Sequence, residues 1–122
     1  MMDSILQSIK KLLGIQPEYD VFDQDILIHI NTVFAILNQL NIGPPEGFYV
    51  ADKDVTWESY ITNHNLTMIR TFVYLKVKLI FDPPSSTAVI ESINRTLGEI
   101  EFRLYVEGDP INSVSEGGDV VE

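Results

Sequence analysis

The two histidines of this sequence, with the carboxylates near them, are its best candidates for metal chemistry. Asp25 and His29 are four residues apart, a spacing that places two ligands on one face of a helix, where they can share a metal ion. No third ligand accompanies this pair, and His64 lies among polar residues of a turn. The sequence therefore favours a solvated His29 and predicts no metal site.

The residues needed for other kinds of catalysis are missing. Without cysteine the chain forms no disulfide, no thiolate metal site and no cysteine nucleophile. No glycine-rich phosphate loop and no pair of nucleophile and base can be assembled from the remaining residues. The acidic residues concentrate in loops, at helix ends and near the C-terminus, where solvation or helix capping explains them. We therefore expect no catalytic residue, no cofactor and no enzymatic activity.

The charge of the chain excludes a further class of function. Eighteen acidic and eight basic residues among 122 give a net charge of −10. This charge argues against a surface that binds nucleic acid by releasing counterions. The same charge suits a channel through which DNA slides without being bound. The length is that of one domain with an ordinary core. Charges interrupt the stretch from Met1 to Leu13, so we expect no signal peptide and synthesis in the cytoplasm.

The helix that organises the rest of the chain is LTMIRTFVYLKVKLIF, from Leu66 to Phe81. Asn65 is a suitable N-terminal cap, and the sequence Asp82-Pro83-Pro84 ends the helix because the residue before a proline avoids helical geometry. The stretch is shorter than the ~20 residues of a bilayer span and contains three cations, so we expect a buried core helix and no membrane contact.

Two faces of this central helix follow from its periodicity. The predicted buried face consists of Ile69, Phe72, Val73, Lys76, Leu79 and Ile80. Lys76 lies among apolar residues, so it either extends its ammonium to a nearby edge or pairs with a carboxylate, for instance on a neighbouring subunit. Arg70, Tyr74 and Lys78 form a stripe on the opposite face, which is either solvated or meets acidic groups of a partner.

Three further helices are predicted around it. Asp3 or Ser4 caps a short first helix that ends before Gly14 and packs either on its own domain or on a neighbour. A second helix begins at a cap formed by Asp20 or Asp23 and continues to about Leu40. A last helix, capped by Ser85 or Ser86, carries a narrow apolar seam of Ile90, Ile93, Leu97, Ile100 and Leu104.

The segments between and after these helices carry the turn formers and the remaining acidic charge. Residues 41–55 form a long loop with a short extended piece at Phe48 to Val50, followed by a helical turn that contains Trp57. Trp57 either anchors one end of the core or contacts a partner. We therefore predict an all-α fold: a small bundle of about four helices plus a short helical turn in residues 1–106, then a flexible acidic tail in residues 107–122, which is either idle or ordered by a partner.

Several stretches together resemble a known family. These are Thr56-Trp57, Tyr74-Leu75-Lys76, the run from Leu79 to Pro84, and Glu101-Phe102-Arg103-Leu104. With the order of the helices, they are similar to the head–tail connector (neck adaptor) proteins of long-tailed bacteriophages. The resemblance extends from about Asp3 to Val106.

This resemblance implies a structural virion protein. Such a protein forms a closed ring, most often a dodecamer, beneath the portal protein, continues the DNA channel without binding DNA specifically, and joins the head to a stopper or tail-completion protein. It would be made in the host bacterial cytoplasm and reside in the neck of the virion. The resemblance also implies that Leu104 to Glu122 contact the portal and that Gly43 to Asp54 face the next ring or the channel.

The residues that we expect at oligomer or partner interfaces come from the stripe, the loop, the helical turn and the end of the last helix. They are Arg70, Tyr74, Lys76, Lys78, Trp57, Phe48, Tyr49, Arg103, Leu104, Tyr105 and Val106. Two other classes of function stay open at this point. A small acidic regulatory or adaptor protein would form a dimer and bind a single protein client, and a small hydrolase would have a pocket with a perturbed carboxylate.

Overall fold

The computed structural model describes residues 3–62 and 64–108 of the chain. Its elements are α1 (Ile5–Leu13), α2 (Asp23–Gln39), a single 3₁₀ turn (Trp57–Ser59), α3 (Leu66–Phe81) and α4 (Thr87–Gly108). In this part of the chain extended pairing is limited to an isolated bridge between Ser4 and Thr56. The predicted all-α fold is confirmed. Helix α4 includes residues 107 and 108, and the rest of the predicted tail lies outside the described residues.

Short-range hydrogen bonds set the starts of three helices, as the sequence predicts. In each case a side-chain oxygen accepts the backbone N–H three residues later. The pairs are Ser4 with Gln7 at 3.2 Å, Asn65 with Met68 at 3.2 Å, and Ser86 with Val89 at 3.3 Å. Helix α1 ends at Gly14, whose φ of 84° is left-handed and therefore suits glycine.

The start of α2 differs from the prediction. Phe22 occupies the cap position and its side chain makes no capping hydrogen bond, so the assignment of Asp20 or Asp23 as the cap was wrong. Asp23 instead places its Oδ1 atom 2.8 Å from the Nζ atom of Lys10, which is fully buried and also donates to the backbone oxygen of Pro17 at 3.0 Å. The carboxylate is used to neutralise a buried cation of α1, not to cap its own helix.

Helix α3 lies in the middle of the fold. Helices α2 and α4 both pack against it, and α1 packs against α2 and α3. Its fully buried residues are Ile69, Phe72, Val73 and Val77. Ile80 was predicted to be buried but is half exposed, whereas its neighbours Leu79 and Phe81 are partly buried against the core. Val77, one turn after Val73, takes its place.

Helix α1 packs on its own domain, which resolves one alternative. Ile5, Leu6 and Ile9 are buried in the common core, and the backbone N–H of Ile5 donates to the oxygen of Val55 at 3.0 Å. Helix α4 buries Leu97, Ile100 and Leu104, three positions of the predicted seam.

The long loop after α2 is held in place by polar residues of that helix. The Asn31 amide donates to the backbone oxygen of Val50 at 2.9 Å and accepts its N–H at 2.7 Å, as a neighbouring strand would. Asn38 donates to the oxygen of Pro44 at 3.1 Å. Ile42 and Val50 are buried in the core, so the loop contributes to folding as well as to the surface.

Candidate partner-binding surface

The residues first considered for metal chemistry do not converge on a site. The centroid of the His29 ring lies 6.4 Å from the centroid of the Phe81 ring. Across residues 3–62 and 64–108, no three histidine, aspartate or glutamate side chains lie close enough to hold a metal ion. Over the same residues, no helix combines the length and hydrophobicity needed to cross a bilayer. The candidate site considered next consists of the residues predicted at oligomer or partner interfaces.

Arg70, the first residue of the predicted stripe, has partners within its own chain. Its Nη2 atom lies 3.3 Å from Oδ2 of Asp3, and its guanidinium stands 5.1 Å above the Trp57 ring. Stacking on an aromatic face keeps the planar guanidinium in place while it pairs with the carboxylate. The charge of Arg70 is thus accounted for inside the chain, where it ties α3 to Asp3 before α1 and to the 3₁₀ turn.

The two lysines of α3 also lie near groups of their own helix. The Nζ atom of Lys78 is 3.6 Å from Oδ2 of Asp82 and donates to the Asp82 backbone oxygen at 3.3 Å. The Nζ atom of Lys76 lies 5.6 Å from the centroid of the Phe72 ring, so its charge is placed over an aromatic face at the edge of the core. An ion pair of Lys76 with a neighbouring subunit stays a prediction, and Tyr74 is half buried against the core.

Three predicted interface residues are committed to the core in the isolated chain. Trp57 is fully buried and its indole N–H donates to the Ser8 hydroxyl at 2.7 Å, which agrees with the interpretation as an anchor. Leu104, a residue of α4, is fully buried. Phe48 is half buried, and its ring centroid lies 5.0 Å from that of Phe34. Buried side chains contact a partner only if the fold rearranges, so the surface proposed below omits them.

The remaining predicted residues lie at the surface. Tyr49 and Tyr105 are largely exposed, and Val106 is half buried. Arg103 is exposed and pairs with Glu99, one turn earlier on α4, at 2.9 Å. The loop therefore presents Tyr49, and the end of α4 presents Tyr105, as aromatic side chains that are mostly exposed to water.

The structure adds surface residues that the sequence reasoning missed. Tyr19, Phe22, His29 and Phe81 form an aromatic cluster, with centroid distances of 5.9 Å between Tyr19 and Phe22 and 5.4 Å between Phe22 and Phe81. Phe102 is also exposed, on α4. The sequence contains a signal for each of these surfaces. Tyr19 and Phe22 lie in a mostly polar connection, and Phe102 lies outside the apolar seam of α4.

Tyr60 is the buried titratable group beneath the loop. Its ring centroid lies 4.9 Å from that of Phe34 and 4.9 Å from that of Phe48, and within the described residues its hydroxyl has no hydrogen-bond partner. Burial disfavours the phenolate and raises the pKa of Tyr60 to about 12. A Cβ atom at Gly43 would lie 2.5 Å from the hydroxyl oxygen, so this close approach requires glycine. Tyr60 is thus a neutral packing residue.

Comparison with known proteins identifies a family for this chain. The family model for phage connector proteins matches residues 5–110, which contain all four helices. Searches of curated proteins and of solved structures found no significant match. The match covers most of the 122 residues and confirms the family that the sequence resembles. The chain therefore belongs to the phage connector protein family and is a structural connector of a phage particle.

Proposed function

We propose that this protein is the head–tail connector that lies beneath the portal of a long-tailed bacteriophage. In this proposal, copies of the chain assemble into a closed, dodecameric ring that continues the DNA channel and joins the head to a stopper or tail-completion protein. The observation that carries the proposal is the match of the phage connector family over residues 5–110, because it covers the whole helical body and not a single motif.

The charge of the protein supports the channel. With a net charge of −10 per copy, a ring of these chains repels the phosphate backbone, so DNA can pass without being held. The last 16 residues contain five of the eighteen acidic residues and none of the eight basic ones. The helical body is therefore closer to neutral than the whole chain, which favours contact between copies.

The exposed predicted residues lie in the loop after α2 and at the end of α4. In the proposed neck, Tyr49 and the loop around it face the next ring or the channel. Arg103 and the segment that follows α4 approach the portal. Arg70 and Lys78 are bound within the chain, so the proposal relies on them less than on the exposed aromatic residues.

The test is a measurement of assembly. Purified protein is incubated with portal-bearing heads and with heads that lack the portal, and the co-sedimented protein is quantified and imaged. We expect binding only to portal-bearing heads, at a fixed number of copies per head, with a ring visible at one vertex. Equal binding to both kinds of head, or a stable dimer that binds one client protein and no head, would refute the connector and favour the adaptor.

A deletion of residues 109–122 tests the contact with the portal. The described core residues all lie before this segment, so the shortened protein should keep its helical circular dichroism and its melting temperature. It should lose attachment to portal-bearing heads, because the acidic segment with its few aliphatic residues would gain order only on a partner. Unchanged attachment would move the portal contact to the helical body.

A further inference from the structure

Helix α4 has an outer surface, defined as Arg95, Gly98, Phe102 and Tyr105, that no other element covers within residues 3–62 and 64–108. The helix packs along α3 through the narrow seam of Leu97, Ile100 and Leu104, and the rest of its circumference is largely exposed. Phe102 and Tyr105 lie outside the seam and keep 65% and 63% of their surface exposed. Two neighbouring exposed aromatic side chains on one helix mark a surface that another protein covers.

Gly98 is a second feature of this surface. It lies four residues before Phe102 and seven before Tyr105, and therefore on the same side of the helix. A Cβ atom at this position would meet nothing within 4 Å, so packing inside the chain does not require glycine. A glycine within a helix costs about 1 kcal/mol relative to alanine. Close approach by another chain would explain why this cost is accepted.

The aromatic cluster is formed by elements other than α4. Phe22, at the cap position of α2, and His29 of α2 both contact Phe81, the last residue of α3. Tyr19 of the cluster is about half exposed. Glu18, Asp20 and Asp25 lie near its residues in the sequence, are exposed, and form no ion pair with any described residue. The cluster thus combines partly exposed rings with carboxylates close to them in the sequence.

We infer that the α4 outer surface of one copy packs against the aromatic cluster of the next copy, in the ring proposed above and resting on that proposal. A ring closes through contacts between two different surfaces of each subunit, and the α4 outer surface and the aromatic cluster are two such surfaces. Arg95, in the α4 outer surface, would then face the carboxylates that lie near the cluster in the sequence. The occupant of each surface is therefore a second copy of this chain.

Cross-linking tests which surfaces meet. The chain has no cysteine, so Tyr19→Cys and Tyr105→Cys introduce the only thiols, both at exposed positions. Copies carrying both substitutions are bound to portal-bearing heads and treated with a short flexible bismaleimide. We expect a ladder of covalent multimers up to the full ring. A mixture of the two single variants should give dimers, and each single variant alone should stay monomeric.

Substitutions on α4 provide an independent readout. Phe102→Ala with Tyr105→Ala should lower the amount of head-bound protein at least tenfold and leave the melting temperature unchanged. Gly98→Ala should raise the melting temperature by strengthening the helix, yet weaken assembly by blocking close approach. Val89→Ala is the matched control, since it removes an exposed apolar side chain from another side of the same helix and should change neither quantity.

The outcomes separate the two proposals. A ring at the portal without cross-links between Tyr19→Cys and Tyr105→Cys would overturn this interface and leave the connector function intact. Cross-linking of Tyr105→Cys copies to each other would replace it with a two-fold contact between α4 helices. Wild-type protein that neither binds heads nor assembles would overturn the connector function, and this interface with it.

Discussion

The buried ion pair between Lys10 and Asp23 offers the sharpest test of the fold. Asp23→Asn keeps the shape of the side chain and removes its charge, which leaves the Lys10 ammonium buried without a counter-ion. The Lys10 side chain is 0% exposed and that of Asp23 is 23% exposed, and their charged atoms are 2.8 Å apart. Water can reach the carboxylate but not the ammonium.

The loss of stability expected for Asp23→Asn can be estimated from this distance and these exposures. At an effective dielectric constant of about 20, two charges at this distance attract by roughly 6 kcal/mol, most of which offsets their desolvation. Removing one partner of a buried pair costs roughly 3–5 kcal/mol. The Pro17 oxygen still accepts a hydrogen bond from Lys10, so we expect the lower end, about 3 kcal/mol. That is a large part of the 5–15 kcal/mol that stabilises a typical domain.

Urea unfolding at neutral pH measures this cost. With an m-value of roughly 1.5 kcal/mol/M, a loss of about 3 kcal/mol lowers the midpoint by about 2 M. Lys10→Met should cost less, because it leaves the partly hydrated carboxylate behind, and the double variant Lys10→Met/Asp23→Asn should recover to within about 1 kcal/mol of wild type.

An exposed pair on α3 is the control for this experiment. Lys78 and Asp82 are 3.6 Å apart and Asp82 is 60% exposed, so Asp82→Asn should change stability by at most about 0.5 kcal/mol. If Asp23→Asn is as mild as Asp82→Asn, Lys10 is not buried in the way described here, and the packing of α1 on the start of α2 is wrong.

Three further predictions concern the core and the loop. Asn31→Ala should destabilise the protein by about 2–3 kcal/mol in urea unfolding, because the buried backbone of Val50 loses both hydrogen bonds; an effect below about 0.5 kcal/mol would contradict this role. Phe72→Ala should cost about 3–5 kcal/mol by leaving a cavity under α3, and an unchanged midpoint would refute the central position of that helix. The pKa of Tyr60 is raised to about 12 in the folded protein, whereas in the unfolded chain the hydroxyl ionises above about pH 10. Ionisation therefore favours the unfolded state, and the free energy of unfolding of wild type should fall by about 1.4 kcal/mol between neutral pH and pH 11. Tyr60→Phe should not show this loss. Equal losses in the two proteins would show that the hydroxyl is hydrated.

Local signals in the sequence were sufficient for the secondary structure. The central helix begins at Leu66 and ends at Phe81, as predicted from Asn65 and from the two prolines that follow Asp82. Capping bonds connect residues only three positions apart, so the sequence near each helix end contains both partners. The family could also be recognised, since its characteristic stretches lie in α3 and α4, directly after α3 and at the 3₁₀ turn.

The surface and the polar contacts were decided by the tertiary structure. Lys10 lies in the last turn of α1, and its partner is distant in the sequence, because the start of α2 covers it and supplies Asp23. Asn31 is a solvent-facing residue by periodicity, yet the loop folds back over it through a bond that spans 19 positions. Trp57 meets Ser8 across 49 positions, and the choice between anchor and surface residue depended on that contact. Periodicity tells which side of a helix is apolar, and only the arrangement of neighbouring elements tells which side is covered. The aromatic cluster and the uncovered side of α4 are consequences of that arrangement.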